Sequence, residues 1–272
     1  MADHEFSVLV LCDVIGLARS SFYYKSQASD DSELRNDIEN ICLRYTRYGY
    51  RRVLGRLQRK GYRVGHNRVN RLMGEMGLSV QPRRRRVYTT RSDGKNPVYP
   101  NLLKGLEITY PDQVWAGDIT FVSLINRRTL YLALVIDIFT RVIRGWHLSR
   151  NMSEDLIQVA LAKALATGHK PEIHHSDQGS QYNAHKYCET LSSLGAQISM
   201  SDKGKAWENP YMESAIGHIK DEEIWLKEYI DFEDAFTNLS YFLDVEYNHM
   251  RIHSALGYLT PAEFEAQYEV RK

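Results

Sequence analysis

Cysteine is scarce in this sequence: Cys12, Cys42 and Cys188 stand far apart in 272 residues. A disulfide framework or Cys-based metal site would need closer spacing, so buried thiols in a reducing cytosol are expected. No apolar run approaches the roughly 20 residues that span a bilayer, so no membrane partner is expected. The acidic opening Met-Ala-Asp-His-Glu-Phe is no signal peptide. There is no Walker loop, Ser-His-Asp order or zinc-type Cys/His spacing, which argues against the enzyme classes built on them. Net charge is nearly absent too, at +1, but that figure hides a strong asymmetry. Residues 44–104 hold 17 Lys/Arg against only Glu75 and Asp93, whereas residues 105–272 carry 15 basic and 24 acidic groups. A basic block joined to an acidic one suits a chain that grips a polyanion with one part and gathers carboxylates in the other. A charge run alone is equally well read as a solvated helix face.

What is present falls into four stretches. Residues 1–32 read as a helical segment, with Val8–Val14 apolar, Gly16 a break and Ser20 a cap for a second short helix. Residues 33–78 read as an all-α helix-turn-helix unit. Leu34, Ile38, Ile41 and Tyr45 recur at the spacing of one buried face, a shorter helix carries Val53, Leu54 and Leu57 up to Gly61, and a third begins near Asn67 and ends at Gly77. In such a unit the second helix of the pair enters the major groove. Asn67, Arg68, Asn70 and Arg71 lie off its apolar side, where they can contact bases or phosphates. Ordinary helix packing remains an alternative. Residues 79–112 read as a basic connector broken by Pro82, Pro97, Pro100 and Pro111, with Arg83, Arg84, Arg85 and Arg86 placed to track a phosphate backbone.

From 113 to 272 the pattern is α/β. Val114–Leu124, Thr129–Phe139 and Val142–Leu148 form an antiparallel meander with turns at Asn126-Arg127 and Thr140-Arg141. A helix from Ser153, a strand at 172–176, a helix at 185–194 and a strand at 196–200 follow, so a mixed sheet flanked by helices is expected. Near the end, Phe232, Phe236, Leu239, Leu243 and Tyr247 line one helical face, and Thr260-Pro261-Ala-Glu263 reads as a capping box. Arg251 and His253 suit either DNA contact or a helix end.

Three carboxylates stand out in this part: Asp118 in a strand, Asp177 at a strand's exit and Glu213 on a helix. Such a set can hold two Mg²⁺ or Mn²⁺ ions about 3.5–4 Å apart against a phosphodiester, the cations relieving the carboxylates' mutual repulsion. Asp137, also in a strand, is a rival. Lys220 lies seven residues after Glu213, two helical turns, where it can hold a phosphate. His174 and His175 read as structural neighbours of Asp177.

The residues become specific in combination. Trp115-Ala-Gly-Asp118-Ile-Thr120, His175-Ser-Asp177-Gln-Gly-Ser-Gln-Tyr182, Glu213-Ser214 and Lys220 resemble bacterial insertion-sequence transposases with a retroviral-integrase-like (DDE) core, of the second-reading-frame type. Tyr48-Gly-Tyr-Arg51-Arg52 and Tyr247-Asn248…Arg251…His253…Thr260-Pro261 extend the resemblance over nearly the whole chain. It implies an RNase H-like core with Asp118, Asp177 and Glu213 as acidic triad, displacing Asp137. It also implies metal-dependent 3′-end cleavage at terminal inverted repeats of double-stranded DNA, then strand transfer through a circular intermediate. A homo-oligomer on DNA, an upstream-frame product or fusion, and a cytoplasmic, nucleoid-associated location in a bacterium follow from the same resemblance. Two positions depart from the pattern: Gly117 stands where Thr is usual, and Glu208-Asn209-Pro210 where Asp-Asn-Ala is common. A structure-selective nuclease and a non-cutting DNA-binding regulator remain the alternatives.

Overall fold

The computed structural model describes residues 7–24, 31–80, 99–202, 205 and 208–269. It divides into two compact units, one through Asp37 and one from Ile38 onward. The first contains α1 (Val8–Ile15) and α2 (Arg19–Phe22). Ser7 caps α1 by accepting from the Val10 N–H, and Gly16 ends it at φ 65°, a left-handed backbone that glycine adopts without strain. The N-cap of α2 is Ala18, not Ser20.

In α3 (Ser32–Arg44), Ile38 and Ile41 are buried. The helices α4 (Tyr50–Arg59) and α5 (His66–Glu75) realise the expected pair. Val53 and Leu57 of α4, and Val69, Leu72 and Met73 of α5, are buried. Gly61 and Gly77 follow the two helices at φ 93° and 69°. The N-cap of α5 is Gly65 in extended backbone, two positions before Asn67, which lies inside the first turn.

This helical pair belongs to the same compact unit as the α/β part, and the side chains show why. A Cβ on Gly55 would come within 2.6 Å of the Tyr258 ring, so only glycine allows α4 this close. The Arg59 guanidinium donates to Glu263 at 2.8 Å, Arg56 to the Met250 carbonyl, and the Ile252 N–H to the Tyr48 hydroxyl at 3.1 Å.

The sheet has the order β3-β2-β1-β4-β5, with β1 (Val114–Ser123), β2 (Thr129–Asp137), β3 (Ile143–Ser149), β4 (Ile173–Ser176) and β5 (Gln197–Met200). The β1–β2 and β2–β3 pairs are antiparallel, the β1–β4 and β4–β5 pairs parallel. Arg127 and Arg141 take the left-handed conformation at the two hairpin turns, both at φ 65°. Period-two alternation then sends side chains to two cores. Ala116, Val122, Leu132, Leu134 and Ile136 pack under α8 (Pro210–Ile219) and α9 (Phe232–Ser240). Trp115, Ala133 and Val135 pack under α6 (Glu154–Leu165) and α7 (His185–Ser193). Gly145 of β3 lets α6 settle on the sheet, since a Cβ there would meet the Ala160 carbonyl at 2.3 Å.

Several expectations need adjusting. Ser153 is the N-cap of α6 but its side chain makes no capping hydrogen bond. The described end of the expected connector is part of the core: Leu103, Leu106 and Ile108 pack against one apolar cluster, and the Leu102 N–H donates to Ser199 Oγ at 2.9 Å. Phe236 is 38% exposed, while Leu239, Leu243 and Tyr247 are buried as expected. The capping box forms in both directions at the start of α10 (Pro261–Glu269). The Thr260 N–H donates to Glu263 Oε2 at 2.9 Å, and the Glu263 N–H to Thr260 Oγ1 at 3.2 Å.

Candidate active site

Asp118 sits at the middle of β1, a central strand, opposite Leu134 of β2. Alternation puts it on the face of Ala116 and Val122, the side covered by α8. Asp177 follows directly on β4, the parallel neighbour of β1. The adjacent parallel strands therefore bring these two carboxylates together, and their electrostatics show it. Burial first, and then the charge of Asp177, raise the Asp118 carboxyl to about 7. Burial also raises Asp177. One oxygen of each is anchored by a nearby backbone N–H, Ile119 to Asp118 Oδ1 at 2.7 Å and Gly179 to Asp177 Oδ1 at 2.9 Å. The second oxygen of each has no hydrogen-bond partner among the described residues.

Lys220 supplies the nearest positive charge acting on Asp118. It follows α8 and opens a π-helical segment, Lys220–Ile224. Burial lowers its pKa and the Asp118 charge opposes that lowering. Glu213, in the first turn of α8, is exposed, as Asp177 is, while Asp118 and Lys220 are half-buried. Among the described residues no three His, Cys, Asp or Glu gather into a group able to hold a metal ion. The structure thus brings Asp118 near both Asp177 and Lys220.

Beside the carboxylates lies an aromatic and imidazole floor; His174 and His175 were expected as structural neighbours of Asp177, whereas the part played by Tyr182 and Tyr187 was not. Tyr182, buried, feels the charges of both Asp118 and Asp177, and its hydroxyl pKa is raised well above the ordinary value, chiefly by burial. The Tyr187 hydroxyl lies 2.9 Å from His174 Nε2, and His174 and Tyr182 pack with Tyr187. Burial pushes His174 down to about 3 and His175 to about 4, so both rings are neutral. Gly117 faces this floor: a Cβ there would lie 3.1 Å from both the His174 and Tyr182 rings. The glycine at that position is matched to a tight neighbourhood. The signal for Tyr182 was its place in the Gln-Gly-Ser-Gln-Tyr loop, five residues after Asp177.

Asp137, the rival, is committed elsewhere. It ends β2 opposite Trp115 and accepts from the N–H groups of Asp112, Phe139 and Thr140 and from Arg144. Its carboxylate organises the β2–β3 turn. Arg251 and His253 resolve as well. Arg251, 4% exposed, donates from Nε and Nη2 to both oxygens of Glu222 at 2.8 and 2.9 Å, and its Nη1 lies 2.8 Å from His253 Nε2.

Of the expected DNA contacts, Arg83, Arg84, Arg85 and Arg86 lie outside the described residues. Asn67 and Arg71 are exposed on α5 and Arg68 is half-buried, with Arg71 paired to Glu75 at 2.5 Å. Arg51 is exposed at the start of α4, over the Tyr50 ring. Arg52 is engaged within the protein. It donates to Glu222 at 2.6 Å and to the Arg47 carbonyl at 2.9 Å, with its guanidinium 4.3 Å from the centre of the Tyr48 ring.

No helix among the described residues is long and apolar enough to cross a membrane. Comparison with known proteins matches the Integrase core domain over residues 109–206 and, in a second such match, 194–261, and an HTH-like domain over residues 29–86. The insertion element IS600 uncharacterized 31 kDa protein of Shigella sonnei is 34% identical over 95% of this chain and 98% of that one. The transposase for insertion sequence element IS904 of Lactococcus lactis is 36% identical, over 80% and 87% of the two chains. The transposase InsF for insertion sequence IS3A of Escherichia coli is 32% identical, over 96% and 94%. Among solved structures, a simian T-cell lymphotropic virus intasome superposes with a TM-score of 0.51 at 12% identity, over 84% of this chain and 74% of that one, a likeness of fold alone. Relatives this similar across almost the full length of both chains, together with an integrase core around Asp118 and Asp177, place the chain in the insertion-sequence transposase family.

Proposed function

We propose that this protein is a polynucleotidyl transferase that nicks double-stranded DNA at the ends of a mobile element, freeing 3′-hydroxyls, and joins those ends to target DNA. The observation that carries the reading is the pair Asp118 and Asp177. They stand on adjacent parallel strands, Asp118 half-buried and Asp177 exposed at the strand's exit, with the charge of Asp177 helping to hold Asp118 up at about 7. A purely structural pair would be expected to have a counter-ion, as Asp137 has in Arg144. The donor set fits a hard divalent cation: oxygen-only, anionic, and with one oxygen of each carboxylate held by backbone and the other unused. Asp118 and Asp177 would hold Mg²⁺ or Mn²⁺, two ions in all, with Glu213 as the third carboxylate and Lys220 beside a DNA phosphate. Bound there, the metal would supply charge stabilisation on the attacking and leaving oxygens of the phosphodiester.

The chain's own residues do the rest. The backbone N–H groups of Ile119 and Gly179 fix the carboxylate rotamers before substrate arrives. Tyr182, His174 and Tyr187 form a buried floor that keeps bulk water from one side of the pair. The α5 side chains Asn67 and Arg71, exposed, and Arg68, half-buried, with Arg51 and Arg83–Arg86, would hold the duplex. The test is an assay on a duplex bearing the element's own terminal repeats, in Mg²⁺ and in EDTA. Mg²⁺-dependent nicking followed by joined products supports the reading. Nicking that never yields joined strands would mean a nuclease, and binding without nicking a regulator.

A further inference from the structure

A second charged site lies on the other side of the catalytic helix. A cavity of about 590 Å³ opens between the start of α4, the first turns of α8 and the segment after Met250. Among its lining residues are Arg51, Arg52, Arg141, Arg251, His218 and His253, and none is Asp or Glu. Behind it Glu222 serves two guanidiniums at once, Arg52 and Arg251, and Asp137 acts on Arg141 without pairing with it. One negative charge against two leaves the wall cationic before Arg51 and Arg141 are counted.

Arg141 is the telling residue. It stands at the β2–β3 turn with its guanidinium 4.3 Å from the centre of the Tyr211 ring, and burial lowers its pKa. Arg144, three residues on, is buried too but has Asp112 and Asp137 at 2.8 and 3.2 Å, and Glu265 besides. Arg141 makes no ion pair with a carboxylate among the described residues. A half-desolvated cation facing a cavity, with Tyr211 against it and Asp137 acting only from beyond ion-pair distance, is costly unless an anion completes it. Arg51 adds a second cation at the cavity, exposed and lying over the Tyr50 ring. The ten-residue helix α4 opens at Gly49, which has no side chain to cap the first N–H groups, so its positive end also faces the cavity. Planar guanidiniums at a helix N-terminus match phosphate oxygens in both charge and geometry.

We propose that this cavity is a phosphate-binding site in which Arg141 and Arg51 grip the group directly and the Arg52–Glu222–Arg251 cluster holds the wall in place. Pro210, Tyr211 and Ser214 of α8 line the cavity, and Ser214 adjoins Glu213. A phosphate of the DNA strand that runs past the catalytic carboxylates is therefore the source the position favours, and to that extent the proposal rests on the DNA reading above.

The test uses the full chain without divalent metal. Binding of a duplex oligonucleotide is measured against salt for wild type, Arg51→Gln, Arg141→Gln, and Arg128→Gln as a charge-matched control at the β1–β2 turn. Each lost phosphate contact lowers the slope of log K against log salt by about 1. The expected result is that drop, with roughly tenfold weaker binding, for both cavity variants and not for the control, and partial recovery in Arg141→Lys. In parallel, melting temperature is followed with inorganic phosphate and pyrophosphate. A rise that is lost in both variants while DNA binding stays unchanged supports the site and assigns it to a free phosphate. Wild-type behaviour of both variants in both arms overturns the proposal, and Arg51, being exposed, decides the matter if Arg141→Gln fails to fold. Because no cutting is read, DNA held through this cavity by a protein that never nicks would sink the catalytic reading and leave this one standing.

Discussion

The Arg52–Glu222–Arg251 cluster predicts that the α4–α5 pair and the α/β part unfold together. The perturbation is Glu222→Gln, which keeps the shape and removes the charge. The Glu222 side chain is 10% exposed and that of Arg251 4%, so the change leaves a buried guanidinium without its counter-ion. Breaking a buried pair in this way costs about 3–5 kcal/mol. Burial raises the Glu222 carboxyl, but Arg251 and then Arg52 overcome it and hold the group at about 2, against 4.5 ordinarily. That difference is worth roughly 3 kcal/mol by linkage, in the same range. A depressed carboxyl pKa stabilises the folded state above the unfolded value, and the contribution disappears as pH falls from about 4.5 towards 2. Urea unfolding should therefore show Glu222→Gln less stable by about 3 kcal/mol at pH 7, with a Tm lower by roughly 6–12 °C, and the deficit should shrink steadily below pH 4.5. Fluorescence and helical circular dichroism should report one coincident transition. A loss under 0.5 kcal/mol, or a helical transition separated from the core transition, would refute the argument.

Other outcomes follow from the same structure. Asp118 has the opposite sign: its raised carboxyl means the folded state binds the extra proton, so metal-free stability should fall as pH rises from about 4 through 7. Asp118→Asn should remove that loss and make the metal-free protein more stable at pH 8 by ~2–4 kcal/mol, with no such gain at pH 4. Mg²⁺ at 100 times its Kd should stabilise wild type by about 2.7 kcal/mol at pH 8 and Asp118→Asn by much less, read by thermal melting. Gly117→Thr places a side chain 3.1 Å from the His174 and Tyr182 rings and should cost about 1–3 kcal/mol through overpacking, measured by urea titration. Thr260→Ala removes one arm of a formed capping box and should cost about 1 kcal/mol without touching DNA cleavage.

Much of this was legible in the chain because local rules and tertiary structure agree. The β-rich run Val114–Leu124 and its turn at Asn126-Arg127 placed the strand that carries Asp118. The spacing of Val69, Leu72 and Met73 gave α5 its buried side. What escaped depends on contacts across long sequence separations. Nothing local distinguishes Asp137, which caps a turn, from Asp118, which caps nothing. Arg52 reads as a DNA contact until Glu222, 170 residues later, is seen to take it. Arg251 looks like a surface cation for the same reason. The connector 79–112 was read from its prolines, which say nothing of Leu103, Leu106 and Ile108 packing on the core. The helix is regular α from Glu213 to Ile219, yet Glu213 is exposed while Lys220 is half-buried near Asp118, a difference that helical spacing does not show.

In the proposed function Asp118, Asp177 and Glu213 act as one metal-dependent site on DNA. The most direct measurement is single-turnover Mg²⁺-dependent end cleavage by Asp118→Asn, Asp177→Asn and Glu213→Gln, with binding of the same duplex measured alongside. Cleavage should fall at least 1,000-fold, or about 4 kcal/mol, in every variant while duplex binding stays within a few-fold of wild type. Near-normal cleavage in Glu213→Gln would remove it from the site, and near-normal cleavage in Asp118→Asn or Asp177→Asn would contradict the account altogether.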